Sequence, residues 1–134
     1  MANPGDYDFY CEEALTGKTS IKKVYESEKI LAFYHTKPKY NTHIIIIPKE
    51  HIHNLLDAGP NVLGEVLEVA QKILKKIDVD SGGGRLITNL GKFQETPHLH
   101  FHIISDGNYQ DIKLSSKNNP SPTQLTHKTL SQVL

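Results

Sequence analysis

Tryptophan is absent from the 134-residue chain, and cysteine and methionine occur once each. The single Cys11 cannot close an internal disulfide, and a CxxC-type zinc site lacks its second thiolate. An excess of one charge is missing too: 15 basic side chains face 15 acidic ones. That balance argues against a nucleic-acid-binding domain, which is normally basic. No apolar run approaches the ~20 residues that cross a bilayer, the isoleucines 44–47 being among the longest. The opening Met1-Ala2-Asn3-Pro4-Gly5-Asp6 has neither a basic flank nor an apolar stretch, so no signal peptide is expected. The resulting expectation is a cytoplasmic, single-domain protein with one modest core and no membrane or nucleic-acid partner. What the chain has in quantity is histidine: eight in all.

The apolar pattern gives an order of elements. Residues 8–16 suit a short helix or turn ended by Gly17. Residues 21–25 and 30–34 read as the strands of a hairpin around Ser27-Glu28. The four consecutive β-branched residues at 44–47 predict a central strand covered on both faces, with Pro48 ending its pairing. Across 61–77, Val62, Val66, Ala70, Ile73 and Ile77 recur at helical spacing, opposite Glu65, Glu68, Lys72 and Lys76. This predicts one long amphipathic helix packed on a sheet. Gly82-Gly83-Gly84 is expected to be a plain turn, because no Lys-Ser/Thr pair of a phosphate loop follows it. A strand over 85–89, a polar loop and a strand over 98–104 complete the pattern. From Ser105 the composition turns to Asn, Ser, Pro, Lys and Gln, which reads as a loosely held arm.

Within the last strand, His98-Leu99-His100-Phe101-His102-Ile103-Ile104 alternates. Successive side chains of a strand point to opposite faces, so Leu99, Phe101 and Ile103 share one face and the three imidazoles the other. Three readings are open. The histidines could belong to a solvated face or make structural hydrogen bonds. They could ligate a metal, although His98 and His102 would lie ~13 Å apart on an extended strand and could not converge on one ion. A zinc-dependent hydrolase would need a further ligand from His43 or His51. Phosphoryl chemistry uses all three positions: neutral imidazole is nucleophilic near pH 7, and its neighbours can donate hydrogen bonds to phosphate oxygens.

The run 98–104 matches His-φ-His-φ-His-φ-φ, with φ hydrophobic, and so resembles the histidine triad (HIT) family of nucleotide hydrolases and transferases. Leu31-Ala32-Phe33, the stretch 42–52, Arg85-Leu86-Ile87-Thr88-Asn89 and Gln94 are similar to further family segments. The resemblance implies an α+β fold with a five-stranded antiparallel sheet, one long helix and short helices, commonly a two-fold dimer. Residues 1–105 would form the domain and 106–134 a C-terminal extension, partly irregular. It also implies a catalytic set: His100 as nucleophile on the α-phosphate, His98 orienting it, His102 binding phosphate, and His43 alongside. Asn89 and Gln94 would contact substrate, and Phe33 and Tyr34 would wall the nucleoside pocket.

Three positions depart from the family pattern. His35 stands where many members carry an acid that holds the ribose hydroxyls. Glu95, followed by Thr96, stands where a serine or threonine often lies near the leaving group. Some members bind structural zinc through two cysteines and two histidines. Here Asp8 replaces one cysteine, so no cofactor is expected, with an Asp8-Cys11-His51-His98 zinc site as the alternative. The expected activity is hydrolysis or transfer at the α-phosphate of a nucleoside phosphoramidate or dinucleoside polyphosphate, through a nucleotidyl-His100 intermediate. A nucleotide-binding interaction module with little turnover is the other reading. His51 and His53 would be local or surface groups, as would His127.

Overall fold

The computed structural model describes residues 7–81 and 83–115. His127 and most of the expected C-terminal extension lie outside these. Five antiparallel strands form one sheet in the order β1-β2-β3-β5-β4: β1 (Lys23–Glu26), β2 (Ile30–Tyr34), β3 (Thr42–Pro48), β4 (Arg85–Ile87) and β5 (Phe101–Ser105). The helix α1 (Pro60–Ser81) lies between β3 and β4 in the chain. Among the described residues, no helix is long and apolar enough to cross a membrane.

The hairpin turns where expected. Ser27 Oγ accepts from the backbone N–H groups of Lys29 (3.3 Å) and Ile30 (3.1 Å), a side-chain substitute for a turn hydrogen bond. The register slips between Lys23 and Tyr25, so consecutive Val24 and Tyr25 are both buried. The central strand is covered on both faces, as its isoleucine run requires. Ile44 and Ile46 join the cluster under α1, built with Val66, Ala70, Ile73, Ile77, Leu99, Phe101 and Ile103. Ile45 and Ile47 join Leu31, Phe33, Tyr10 and Ala14 in a smaller cluster on the opposite face.

Several boundaries differ from the sequence expectation. The helix starts one residue earlier, at Pro60, because proline's missing N–H costs nothing in a first turn. It also continues past Ile77 to Ser81, since neither glycine nor proline interrupts it before Gly82. Residues 10–14 form a single π-helical turn, Tyr10–Ala14, after which Gly17 takes a positive φ of 81°. Pro48 sits inside the last β2–β3 pair, opposite Ile30, instead of beyond it. Gly84 marks a close approach: a Cβ there would lie 3.0 Å from the Ile104 carbonyl oxygen and 3.1 Å from Leu74 Cδ2.

Two differences bear on the site. The ladder of β5 begins only at Phe101, so His98 and His100 precede the paired strand. Their segment hydrogen-bonds to loops instead: Leu99 N–H donates to Ile52 O (2.6 Å) and His98 N–H to Thr96 O (2.8 Å). The chain after Ser105 does not leave the domain at once. Tyr109 N–H donates to Thr42 Oγ1 (2.8 Å), Ile112 is buried, and Leu114 N–H donates to the Val24 carbonyl on β1 (2.8 Å). Residues 106–115 thus run back along the sheet as part of the fold.

Candidate active site

On the face of the sheet away from α1, adjacent strands bring His35, His43, His102 and His100 into one row. His35 follows β2 and its N–H donates to the His43 carbonyl on β3 at 2.8 Å. Its ring lies 4.4 Å from that of His43, which lies 5.1 Å from His102, which lies 5.0 Å from His100. Leu99, Phe101 and Ile103 go to the core under α1, so the apolar half of the alternation decides the placement of the polar half.

Hydrogen bonding assigns each ring its tautomer, because a neutral imidazole has one donor and one acceptor nitrogen. Lys39 N–H donates to His43 Nδ1 at 3.3 Å, so His43 carries its proton on Nε2. That proton is donated to His102 Nδ1 at 2.9 Å, which leaves His102 with Nε2–H as its remaining donor. His100 Nδ1–H donates to the His98 carbonyl at 2.7 Å, leaving a bare lone pair on His100 Nε2. One nitrogen nucleophile therefore stands beside one N–H donor.

Burial lowers the pKa of His43 and His102 to about 4, with neighbouring imidazoles adding to the effect. Burial also lowers His100, against the raising influence of its bond to His98, and lowers His35. All four rings are thus held toward the neutral form at pH 7. Folding depresses these values from ~6.5, so the folded state binds fewer protons than the unfolded chain between pH ~6.5 and about 4. Their stabilising contribution is complete above that window and is lost as pH falls through it. Urea midpoints should hold level from pH 8 to 7 and decline below ~6.5. The decline over this window should be shallower in His102→Gln.

The row faces a cleft of two lobes, of about 290 Å³ and about 400 Å³. The first is walled by Phe9, Tyr10, Phe33 and Ile45, with Thr96 at its rim. The second is lined by Lys39, Tyr40, His43, Asn89 and Phe93, among others. His35, Lys37, Glu95, His100 and His102 border both. Of the residues singled out in the sequence, Phe33, His35, His43, Asn89, Glu95, Thr96, His100 and His102 therefore meet at one cleft.

Three others do not line it. Tyr34 points to the α1 face, where its hydroxyl donates to Tyr109 O (2.7 Å) and accepts from Ile112 N–H (3.0 Å). Strand alternation puts it opposite Phe33, so it cannot share a nucleoside wall with that residue. Gln94 Nε2 donates to His53 O (2.6 Å) and Thr96 O (3.0 Å), bracing the loop that carries Glu95 and Thr96 instead of facing the cleft. His98 is fully buried and does not stand in an outward row with the other two. Its Nε2–H donates to Pro48 O at 2.8 Å, and only its carbonyl reaches His100.

Tyr10 is a cleft residue that the sequence did not mark. Its ring packs 5.6 Å from His98, 5.1 Å from His100 and 6.1 Å from Phe33, covering the flank of the His100 ring. Phe9, Ile45 and Lys37 were likewise unmarked, since each is an ordinary core or loop residue until the sheet assembles around it. Phe93 carried a readable signal, a large apolar residue in a polar loop, and it is 68% exposed at the rim.

Behind His98, four potential ligands gather: Asp8, Cys11, His51 and His98, with their donor atoms all within 4.8 Å of one another. Asp8 Oδ2 lies 2.6 Å from His51 Nδ1 and 2.8 Å from His98 Nδ1. Cys11 Sγ lies 3.4 Å from His98 Nδ1 and 3.8 Å from His51 Nδ1. Because His98 Nε2 is the donor to Pro48, its Nδ1 presents a lone pair to a carboxylate unless a proton or a cation stands between them. A ring nitrogen fixed by a backbone carbonyl while the other faces a thiol and a carboxylate fits a divalent metal of the zinc class. Burial raises Asp8, but the Cys11 N–H and the His98 contact outweigh it and hold the carboxyl below its usual range.

A sheet whose floor carries packed imidazoles over a two-lobed cleft is a histidine-centred site, and the comparisons give its family. The HIT domain model matches residues 16–108. An uncharacterized HIT-like protein of Helicobacter pylori is 33% identical over 96 residues, covering 70% of this chain and 92% of that protein. Among solved structures, a hypothetical histidine triad nucleotide-binding protein from Sulfolobus tokodaii is similar, with 34% identity and a TM-score of 0.67 over 79% of this chain and 74% of that one. A HIT family hydrolase from Legionella pneumophila is 30% identical, with a TM-score of 0.65 over 76% and 95% of the two chains. The chain belongs to the HIT family.

Proposed function

We propose that the protein hydrolyses or transfers at the α-phosphate of a nucleotide, with a nucleoside phosphoramidate or dinucleoside polyphosphate as substrate, by way of a nucleotidyl-His100 intermediate. The observation that carries this reading is the pairing of tautomers: a lone pair on His100 Nε2 beside the His102 Nε2–H. The His100 lone pair attacks phosphorus, an N–P bond forms, and the bond to the leaving group breaks. The departing group takes a proton from water. The ring becomes cationic, which strengthens the Nδ1–H bond to the His98 carbonyl, while His102 donates to a non-bridging oxygen. Water then attacks phosphorus and gives up a proton to the solvent, balancing the one the departing group took; the N–P electrons return to Nε2, and the nucleoside monophosphate leaves. Phe33 and Ile45 supply the apolar wall that a base needs. The neighbouring hydrolase and nucleotide-binding protein support the same reading. A cytoplasmic location and a two-fold dimer are part of it.

The test is incubation with adenosine phosphoramidate radiolabelled in the nucleotide, followed by trapping of acid-labile label on the chain. Label on His100 with release of AMP supports the reading. AMP binding with neither label nor product supports an interaction module instead.

Zinc at Asp8, Cys11, His51 and His98 is proposed as a structural ion, tying the π-helical turn to the chain at Pro48–His51 and to His98. When bound it supplies charge neutralisation, since thiolate and carboxylate together offset its two positive charges, and no reaction step passes through it. One equivalent of zinc should bind per chain and raise the thermal midpoint, both effects disappearing in Cys11→Ser. A midpoint unmoved by zinc and by chelator would leave the Asp8–His98 contact to a proton.

A further inference from the structure

The residues that border both lobes of the cleft locate the middle of a bound nucleotide. On the functional reading above, the α-phosphate sits at His100 and His102 and the base against Phe33 and Ile45. The ribose then lies at the junction of the lobes, beside the remaining shared residues His35, Lys37 and Glu95.

Of these, His35 and Lys37 offer donors only. The Nδ1 lone pair of His35 accepts from Lys37 N–H at 2.9 Å. One face of its ring is covered by His43 at 4.4 Å. The polar atom left is Nε2–H, and the Lys37 ammonium has no lone pair either. A ribose diol needs acceptors for its O–H groups, which Glu95 across the junction can supply to one hydroxyl and which this pair cannot. Anionic oxygens need donors and positive charge, which it can. Glu95 enters the junction from a different loop and repels an anion set against it, so a second anion is restricted to the His35–Lys37 side. We propose that His35 and Lys37 form a second phosphate subsite, selecting nucleotides that carry a further phosphate on the ribose 2′ or 3′ oxygen. Lys39 lines only the second lobe, along the course of a 5′-polyphosphate, so added charge alone and charge at the ribose are separable.

The inference rests on the proposed function, and the experiment separates the two. Calorimetric titrations of the full chain would use AMP, ADP, adenosine 2′,5′-bisphosphate and adenosine 3′,5′-bisphosphate. At least one bisphosphate should bind about tenfold tighter than AMP, as one charge-assisted contact set allows, and ADP should gain less. In Lys37→Gln, which alters an exposed side chain, and in His35→Asp, the ratio of bisphosphate to AMP affinity should fall toward one. If neither bisphosphate outbinds AMP, or ADP gains as much, the subsite is overturned while the nucleotide reading stands. If none of the four binds, the functional reading fails and the subsite with it.

Discussion

Replacing His100 with alanine is expected to abolish the trapped nucleotide and to slow turnover on the order of 10⁴-fold or more, since a covalent route without its nucleophile has no first step. The effect exceeds that of any neighbour because, of the four imidazoles in the row, His100 alone has a ring nitrogen whose lone pair no N–H occupies, its other nitrogen being committed to the His98 carbonyl. His102→Ala removes one donor to the phosphate and should cost about 10²–10³ in turnover, while label still accumulates on His100. His43→Ala acts at one remove, by releasing His102 from the tautomer that Lys39 N–H and His43 impose on it. Single-turnover quenching measures all three variants on one scale. Full labelling of the His100→Ala chain would place the nucleophile elsewhere.

His98→Ala is the other change of large expected effect, and it acts mainly on stability. The ring is fully buried, bridges Asp8 Oδ2 and Pro48 O, and packs against Tyr10. Its removal leaves a cavity, an orphaned carbonyl and a nearly buried carboxylate with one partner fewer. Together these should destabilise the fold by about 3–5 kcal/mol, the range for truncating a large, fully buried ring to alanine. Urea unfolding with and without zinc checks the value. The backbone carbonyl that holds His100 survives the substitution, so the folded fraction should retain label trapping. A variant as stable as the parent would mean that Asp8 and Pro48 find other partners, and that His98 has little part in holding the N-terminal turn.

The alternating run at 98–104, the isoleucines of β3 and the helical repeat of α1 were legible because each is a local pattern with one period. Burial of one face imposes that period wherever an element packs on a core. The same logic put His100 and His102 on the cleft side, for their apolar neighbours had to point under α1. His98 shows where local logic ends: it obeys the alternation, yet loops and Asp8, remote in the chain, enclose it. Tyr34 and Gln94 were misplaced for a related reason. A hydroxyl or an amide looks alike facing a ligand and facing a backbone carbonyl, and only the docking of residues 109–112 and of the loop at His53 distinguishes the two.

By itself the sequence determined which residues are apolar, at what spacing, and hence the elements and the strand that carries the histidines. The tautomers of His98 and His102, the Tyr10 flank and the Asp8–Cys11–His51–His98 cluster were decided by the tertiary structure alone. Each depends on a partner far along the chain, such as the 87 residues separating Cys11 from His98. Periodicity acts between neighbours in sequence, whereas these hydrogen bonds act between neighbours in space, and only the folded sheet brings residues remote in sequence into contact.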